Sequence, residues 1–295
     1  MAGDPLWGNV ITSMQFNGTN GAGPSSMIDG KGRTFTGTGS PIISTSWGIT
    51  GGSSLYLNGS SQISTPFFSG INFGTSNFEI NCWVYNTLRA ANPSCILDCS
   101  TDTPAVGWRF AIGTDGSVSF YSIGLGQVST AANKVPVNTQ THLAVTRVSG
   151  TLKIWVNGVE SASGTLGNFN TTGQPLCFGG AIGIYWPFYG YIDRAEIIVG
   201  DVRHTSTFTP ETTPLVQYRG ELIGTVTDEY GVSCSRVVRA YDRATGDLQS
   251  STTSDPITGA YILTTQTMNQ AFIIGLDDEA GAKLNAIVKD RITPV

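Results

Sequence analysis

A pair of carboxylates is one arrangement that could give this 295-residue chain catalytic activity. Two carboxyl groups about 5–5.5 Å apart can cleave a glycosidic bond. Residues two apart share one face of a strand, so such a pair needs an even spacing. Glu79 has Asn81 at that position, whereas Asp193 and Glu196 are three residues apart. The sequence therefore predicts that Asp193 and Glu196 point to opposite faces, and it predicts no catalytic pair.

The sequence also offers no nucleophile beside a histidine. The chain has two histidines, His142 and His204, and no G-x-S-x-G elbow leading into a helix. His142 stands inside an apolar strand pattern, so we interpret it as a partly buried strand residue. His204 follows in a polar tail and is interpreted as a packing or capping residue.

Metal ligands are sparse in the sequence. The cysteines are Cys82, Cys95, Cys99, Cys177 and Cys234. They lack the paired Cys/His spacing of zinc sites, so we interpret them as buried free thiols. Calcium needs a loop dense in oxygen ligands. The scattered candidates are Asp29, Asp98, Asp102 and Asp193. We predict no cofactor and no metal site, with a structural calcium as the alternative.

One segment has the composition of a recognition surface. Residues 184–189 place four aromatic rings around Pro187. Aromatic side chains supply a large anchoring area for a sugar ring or a protein neighbour. The alternative is that the segment closes a hydrophobic core. The predicted binding residues are Tyr185, Trp186, Phe188 and Tyr189.

The elements that must position these residues are strands. The chain contains 37 glycines and only 13% charged residues, which suits short strands joined by tight turns. In residues 141–160 two apolar runs are separated by Ser149-Gly150, and the second alternates until Asn157-Gly158. This pattern predicts an antiparallel hairpin. Its core-facing residues are predicted to be Leu152, Ile154 and Val156.

Four runs of the first 213 residues carry a family resemblance. In order they read SSLYLNGSSQIST, FEINCWVY, THLAVTRVSGTLKIWVNGV and GYIDRAEIIVGDVRHTSTFTP. They resemble the laminin-G-like, concanavalin A-like lectin/glucanase jelly roll that is common in bacteriophage virion proteins. The last run keeps that group's G-Y-I-D start and R-[YH]-x-x-x-F-x-P end, with Glu196 where a basic residue is usual. The family's glucanases use an E-x-D-x-x-E strand, and the stretch from Glu79 to Val84 lacks its second and third acids.

A second domain is predicted after residue 213. Pro210 and Pro214 cannot donate ladder hydrogen bonds, so a linker is expected between Phe208 and Tyr218. The runs GTVTD, RVVRAYD and AYILTT that follow resemble a carboxypeptidase-regulatory-like or transthyretin-like sandwich of the immunoglobulin type. The predicted fold is all-β, with a concanavalin A-like jelly-roll sandwich over 1–213 and a smaller Ig-like/transthyretin-like β-sandwich over 214–295.

Composition limits the partners. The net charge is −5 and no basic cluster is present, which argues against nucleic acid. No apolar run approaches the ~18 residues of a membrane helix, so no membrane insertion is expected. The start MAGDPLWGNV lacks the basic and apolar regions of a signal peptide, so synthesis in a host cytoplasm is expected.

The resemblance implies a non-enzymatic structural or adhesion protein on the surface of a phage virion. Because the chain has no coiled-coil or repeated shaft, a capsid decoration protein or short tail appendage is favoured. A receptor-binding tail fibre tip and a carbohydrate-binding lectin module are the alternatives, and a glycoside hydrolase is a remote one. The implied partners are other virion proteins of the capsid or tail and a host-surface glycan, with a homo-oligomer on the particle.

Overall fold

A computed structural model gives the arrangement of the chain. It describes residues 6–23, 27–49, 52–102, 105–171, 173–212, 221–228, 230–244, 246, 248–265, 270–276 and 287–294. The chain divides into two compact units: a first unit, Gly8–Pro214, and a second unit made of Leu215–Val295 with Met1–Trp7. The predicted boundary at 213/214 and the linker from residue 213 onward lie outside the described residues and stay predictions.

Within its described residues the first unit contains fifteen strands and a 3₁₀ turn at Ser69–Ile71. The strands are β1 (Val10–Met14), β2 (Thr36–Thr38), β3 (Ile42–Ser44), β4 (Ser54–Asn58), β5 (Gln62–Thr65), β6 (Phe78–Asn86), β7 (Ser94–Asp102), β8 (Ala105–Ile112), β9 (Val118–Ser122), β10 (Gly126–Ser129), β11 (Gln140–Val148), β12 (Thr151–Val156), β13 (Val159–Thr165), β14 (Leu176–Phe178) and β15 (Tyr189–Val199).

These strands form two sheets packed around one core. Sheet I has the order β13-β12-β11-β6-β15-β4-β3, with β1 paired to β15, and sheet II has the order β10-β9-β8-β7-β14-β5-β2. Ile80 and Val145 from sheet I and Phe110 and Phe120 from sheet II are fully buried in the same cluster. Alternate residues of each strand therefore face this core, which leaves each sheet an opposite, outer face. The predicted all-β jelly-roll sandwich is confirmed.

The predicted hairpin joins β11 to β12 in sheet I. Ser149 and Gly150 both have positive φ, 49° and 88°, as a two-residue type I′ turn requires. The two strands pair antiparallel from Leu143 opposite Val156 onward. Leu152, Ile154 and Val156 are buried in the core, as the alternation predicts.

A segment of the first unit covers the outer face of sheet I. Trp155 alternates with the core residues and so points outward, yet it is buried. The ring of Phe208 lies 5.8 Å from Trp155, and the indole N–H of Trp83 donates to the carbonyl of Glu211 at 3.0 Å. Residues 200–212 therefore pack back over the sheet after β15, which strand periodicity alone cannot predict.

Shortening a core side chain of the hairpin tests this packing. Ile154→Val is expected to lower the free energy of unfolding by about 0.5–1.5 kcal/mol, because Ile154 is 0% exposed and the lost methylene leaves a cavity. Denaturant unfolding measures the change. Ile28→Val, at a side chain 57% exposed in the same unit, is the control and should change stability by less than about 0.5 kcal/mol. Equal effects of the two substitutions would contradict the burial of Ile154.

The second unit is smaller and also built from strands. Within its described residues these are β16 (Glu221–Thr225), β17 (Val237–Asp242), β18 (Leu248–Thr253), β19 (Ala260–Thr264), β20 (Ala271–Gly275) and β21 (Ile287–Ile292). β16 pairs with β19, and the other four form a sheet in the order β18-β17-β20-β21. Their shared core is Leu222, Val238, Ala240, Tyr261, Leu263, Ala271 and Ile273. The Ig-like or transthyretin-like classification stays a prediction.

Candidate ligand-binding surface

The aromatic segment predicted from sequence is a loop between β14 and β15. It is fixed by backbone hydrogen bonds, from the N–H of Gly179 to Ile96 and from the N–H of Cys95 to Trp186, at 2.9 and 2.7 Å. Ile184 and Trp186 have φ of 62° and 54°. Non-glycine residues in this region cost about 1–3 kcal/mol each and concentrate at functional sites. The loop therefore holds Trp186 in a strained, defined position.

The structure separates the four predicted binding residues. Tyr185 is 72% exposed and Trp186 is half-buried. Phe188 is fully buried in the core, so it offers no surface to a ligand. Tyr189 starts β15 and packs its ring against Gly59 on the sheet I side. Only Tyr189 belongs to β15, whose alternation places it on the same outer face as Tyr191, while the other three lie in the loop before the strand.

Trp186 lies on the outer face of sheet II, against two residues that sequence reasoning did not identify. The guanidinium of Arg109 sits 4.5 Å from the centroid of the Trp186 ring, within the cation–π range. The ring of Tyr121 meets it edge-on at 5.6 Å. Arg109 and Tyr121 are directly opposite in the register of β8 and β9. Arg109 covers one face of the indole, so a ligand can stack only on the other.

A buried ionic network fixes Arg109 beneath the indole. Its Nε donates to Asp98 Oδ1 at 2.8 Å and its Nη2 to Ser100 Oγ at 2.9 Å. The Ser100 hydroxyl also donates to Asp98 Oδ1, at 2.6 Å. Burial raises the pKa of Asp98, while the charge of Arg109 opposes that rise. Because Asp98 neutralises it, Arg109 positions Trp186 and is not available as an anion-binding group.

The acid closest to the glucanase pattern, Glu79, is an internal structural group. It is fully buried on β6 and accepts hydrogen bonds from His204 Nδ1 at 2.7 Å and from the backbone N–H groups of Arg203 and His204 at 2.7 and 3.0 Å. His204 Nε2 contacts Glu211 Oε1 at 3.0 Å. Glu79 therefore ties residues 200–212 to sheet I and cannot reach a substrate.

Protonation of the two histidines follows from these contacts. Burial opposes a charge on His204, but its hydrogen bonds with Glu211 and Glu79 raise its pKa to about 9. Burial disfavours the charged form of Glu79 too, yet its hydrogen bond and attraction to His204 lower its pKa. Burial lowers the pKa of His142 to about 4, so that residue is neutral at pH 7. His204 is thus the charged centre of this ionic contact. His142, predicted to be partly buried, is 2% exposed, because it lies on the outer face of sheet I between Trp83 and Phe208.

The predicted opposite orientation of Asp193 and Glu196 is wrong. A β-bulge between them, with Arg194 at φ 48°, places both opposite outward-facing residues of β6. The extra residue restores an even alternation, so both carboxylates lie on the outer face of sheet I. Glu196, where the resemblance expects a basic residue, pairs through Oε2 with Arg203 Nη1 at 2.8 Å.

The calcium candidates bond to the protein itself. Asp29 accepts the backbone N–H groups of Lys31 and Arg33 at 2.9 and 2.8 Å. Asp193 accepts the N–H of Ile49 at 2.9 Å, and burial raises its pKa to about 6. Asp102 is 79% exposed and 4.0 Å from Arg109 Nη2. In the part of the chain that the structure describes, no three His, Cys, Asp or Glu side chains are grouped to hold a metal ion.

The cysteines and the helices are the remaining features with a sequence prediction. All five cysteines are free thiols, four of them buried, and burial raises the pKa of Cys177 to about 12. The described residues include no helix with the length and apolar character needed to cross a membrane.

Comparisons with known proteins agree with this architecture. Residues 57–199 match a family model described as the Concanavalin A-like lectin/glucanases superfamily. The chain is similar to domain 4 of AbnA, a GH43 extracellular arabinanase from Geobacillus stearothermophilus, solved in complex with arabinotriose. It is 22% identical, with a TM-score of 0.50, covering 66% of this chain and 94% of that one. At this identity the likeness shows a shared fold.

Two further structures are more distant. The botulinum neurotoxin serotype D binding domain is 11% identical, with a TM-score of 0.49 over 93% of this chain and 74% of that one. The CBM40 of the Ruminococcus gnavus IT-sialidase, bound to α2,3 sialyllactose, is 16% identical, with a TM-score of 0.39 over 45% and 80%. No curated protein sequence matches the chain. Family match and strand order together identify the first unit as containing a concanavalin A-like lectin/glucanase (laminin G-like) domain.

Proposed function

We propose that the first unit is a carbohydrate-binding, lectin-like module without catalytic activity. The observation that carries the proposal is Trp186, a half-buried indole on a strained backbone, with one ring face on an arginine that Asp98 neutralises. Tyr185 and Tyr121 complete the surface. The fold supports a carbohydrate-binding lectin module better than a purely structural role.

The chemistry of the surface fits a sugar ring. The C–H groups of a sugar stack on an aromatic face, and a ring fixed in advance loses little conformational entropy on binding. Trp186 is fixed by its backbone, by Arg109 and by the edge of Tyr121. Among the described residues nothing accepts a hydrogen bond from the Trp186 indole N–H, so this donor remains for a ligand hydroxyl.

A neutral saccharide is the favoured ligand class. Arg109, the cation that contacts Trp186, pairs with Asp98 and lies 4.0 Å from Asp102, and these three charges sum to −1 if all are ionised. An acidic sugar would therefore meet no free cation here. The related AbnA domain was solved with arabinotriose, a neutral oligosaccharide, which makes that compound a suitable first probe.

Removing the indole tests the proposal. Trp186→Ala is expected to weaken binding of neutral trisaccharides (arabinotriose, maltotriose and cellotriose) at least tenfold, because one aromatic stacking partner is lost. Isothermal titration calorimetry measures the affinity, and unchanged thermal unfolding shows that the fold persists. Tyr230→Ala, at a residue 82% exposed on the second unit, is the control and should bind as the unmodified chain does. Equal affinity of Trp186→Ala and the unmodified chain would contradict this role.

A virion location is our second proposal, supported by the resemblance of residues 190–210 to phage jelly rolls. We place the module on the particle surface as a capsid decoration protein or short tail appendage, with a receptor-binding fibre tip as the alternative. One unit docks on capsid or tail proteins, as a homo-oligomer, and the other projects. Mass spectrometry of purified particles should detect the chain in a fixed ratio to the coat protein. Its absence from the particles would overturn this proposal.

A further inference from the structure

A second group of aromatic side chains lies on the outer face of sheet I. Tyr56 on β4, Tyr191 on β15 and Tyr85 on β6 stand directly opposite one another in the strand register. Their chain neighbours Ile192 and Val84 are fully buried in the core. Alternation therefore directs the three tyrosines to the side of the sandwich opposite Trp186.

Trp47, in the segment after β3, joins these residues into one surface, here named the aromatic row (Trp47, Tyr56, Tyr85 and Tyr191). The ring of Tyr191 is 5.0 Å from Tyr56 and 6.1 Å from Tyr85. Trp47 is 5.6 Å from Tyr85 and 5.9 Å from Tyr191. These centroid distances lie within the roughly 4.5–7 Å of favourable aromatic pairs, so the rings support one another.

The aromatic row keeps its polar groups accessible. All four residues are half-buried. No described residue hydrogen-bonds to the hydroxyl of Tyr56, Tyr85 or Tyr191, and none of the three is a buried, unpaired oxygen. Buried tyrosine hydroxyls normally find a protein partner, so these three face solvent. The row thus combines apolar ring faces with free hydroxyl groups.

We propose that the aromatic row is a second saccharide-binding surface, specific for an uncharged sugar. Across the sheet the row is flanked by Ile42, opposite Tyr56, and Gln140, opposite Tyr85, and neither is charged. Asp193, the next residue on the same face of β15, is 2% exposed and accepts the N–H of Ile49, so it presents no free charge to a ligand. A neutral ligand matches this surface, since its C–H groups cover ring faces while its hydroxyls exchange hydrogen bonds with the phenols and Gln140. The ligand class follows the function proposed above, but the residues and the sheet are different.

The size of the aromatic row favours a sugar over a protein. A stable protein interface buries about 800 Å² on each partner. A complete aromatic side chain supplies only about 150–250 Å², and these four are half-buried. A sugar needs only one or two rings for stacking. The row is large enough for a saccharide and too small for a stable protein contact.

Two surfaces on opposite faces of one sandwich would make the chain bivalent. A short oligosaccharide cannot reach both, so two separate glycans would be held at once. Simultaneous engagement of a glycan-coated surface raises the apparent affinity without any new contact.

The test isolates the aromatic row from the Trp186 surface. The full chain is titrated calorimetrically with arabinotriose, maltotriose and cellotriose, and with 3′-sialyllactose and choline as charged probes. In a Trp186→Ala background one neutral trisaccharide should still bind, at one site per chain. Adding Tyr191→Ala should weaken that binding at least tenfold. Tyr191→Phe, which keeps the ring and removes only the hydroxyl, should weaken it about threefold and shows that the loss is not unfolding.

The control is Tyr241→Ala in the Trp186→Ala background, at a tyrosine stacked on Phe272 in the second unit. It should leave trisaccharide binding unchanged. Loss of all neutral-sugar binding in Trp186→Ala alone would overturn the second surface while supporting the first. Binding unaffected by Trp186→Ala but abolished by Tyr191→Ala would support the aromatic row and overturn the Trp186 surface. Stronger binding of choline or 3′-sialyllactose than of every neutral probe, or an inactive panel, would overturn the proposed ligand class.

Discussion

Glu79→Gln is expected to lower the free energy of unfolding of the first unit by about 3–5 kcal/mol, the usual effect of removing one partner from a buried ion pair. Glu79 is fully buried, and His204 lies between it and Glu211. Glutamine keeps the shape, but it removes the charge that stabilises protonated His204. Its amide also cannot accept all the N–H groups that both carboxylate oxygens now accept.

The loss should depend on pH in a defined direction. The pKa of His204 is about 9 in the folded chain, above the usual 6.5, so its contribution is complete below pH 6.5 and disappears as pH rises through 9. The pKa of Glu79 is lowered from 4.5, so its contribution is present above that value and is lost on acidification. The destabilisation by Glu79→Gln is therefore largest between pH 4.5 and 6.5 and decreases toward pH 9.

Denaturant unfolding followed by tryptophan fluorescence measures this effect. Five of the six tryptophans (Trp47, Trp83, Trp108, Trp155 and Trp186) lie in the first unit, so the signal reports mainly on its unfolding. The matched control is Glu160→Gln on β13, which removes an exposed pair with Lys153 at 2.8 Å and should cost no more than about 1 kcal/mol. A Glu79→Gln effect as small as the control's, or one independent of pH, would contradict this buried ionic contact.

The fold was largely predictable because alternation and turn residues are local signals. The run 54–58 coincides with β4, and the turn at Ser149-Gly150 joins β11 to β12 as predicted. The covering of sheet I by residues 200–212 was not predictable, because a strand pattern reveals an apolar face but not what packs over a polar one. The bulge at Arg194 was missed for a related reason, since an extra residue changes orientation without changing composition.

The candidate site was predictable only in part. The aromatic run identified Tyr185 and Trp186, but Phe188, just before β15, is in the core, and Tyr189 lies with β15 on the other side of the sandwich. Arg109 and Tyr121 reach Trp186 through the pairing of β8 with β9 and the path of the loop. Such partners are distant in sequence. Alternation indicates which side chains of a regular strand share a face, but it does not identify their neighbours across the sheet.

The second large effect is expected from Arg109→Leu, which leaves Asp98 buried without its cation. At pH 7 the first unit should lose about 3–5 kcal/mol of stability. Burial already raises the pKa of Asp98, and removing Arg109 raises it further. The folded variant therefore binds a proton more readily than the unfolded chain, so its deficit relative to the unmodified protein should shrink as pH falls.

Stability and ligand binding can be separated with the double variant Asp98→Leu/Arg109→Leu. Replacing both partners of a buried pair by apolar residues is often close to neutral, so the double variant should regain most of the lost stability at pH 7. It should not regain trisaccharide affinity at Trp186, because the cation that stacks under the indole at 4.5 Å is still missing. Denaturant unfolding and calorimetric titration of the two variants measure the two quantities. If the double variant recovers stability and affinity together, Arg109 does not position Trp186, and the ion pair serves only the packing of sheet II.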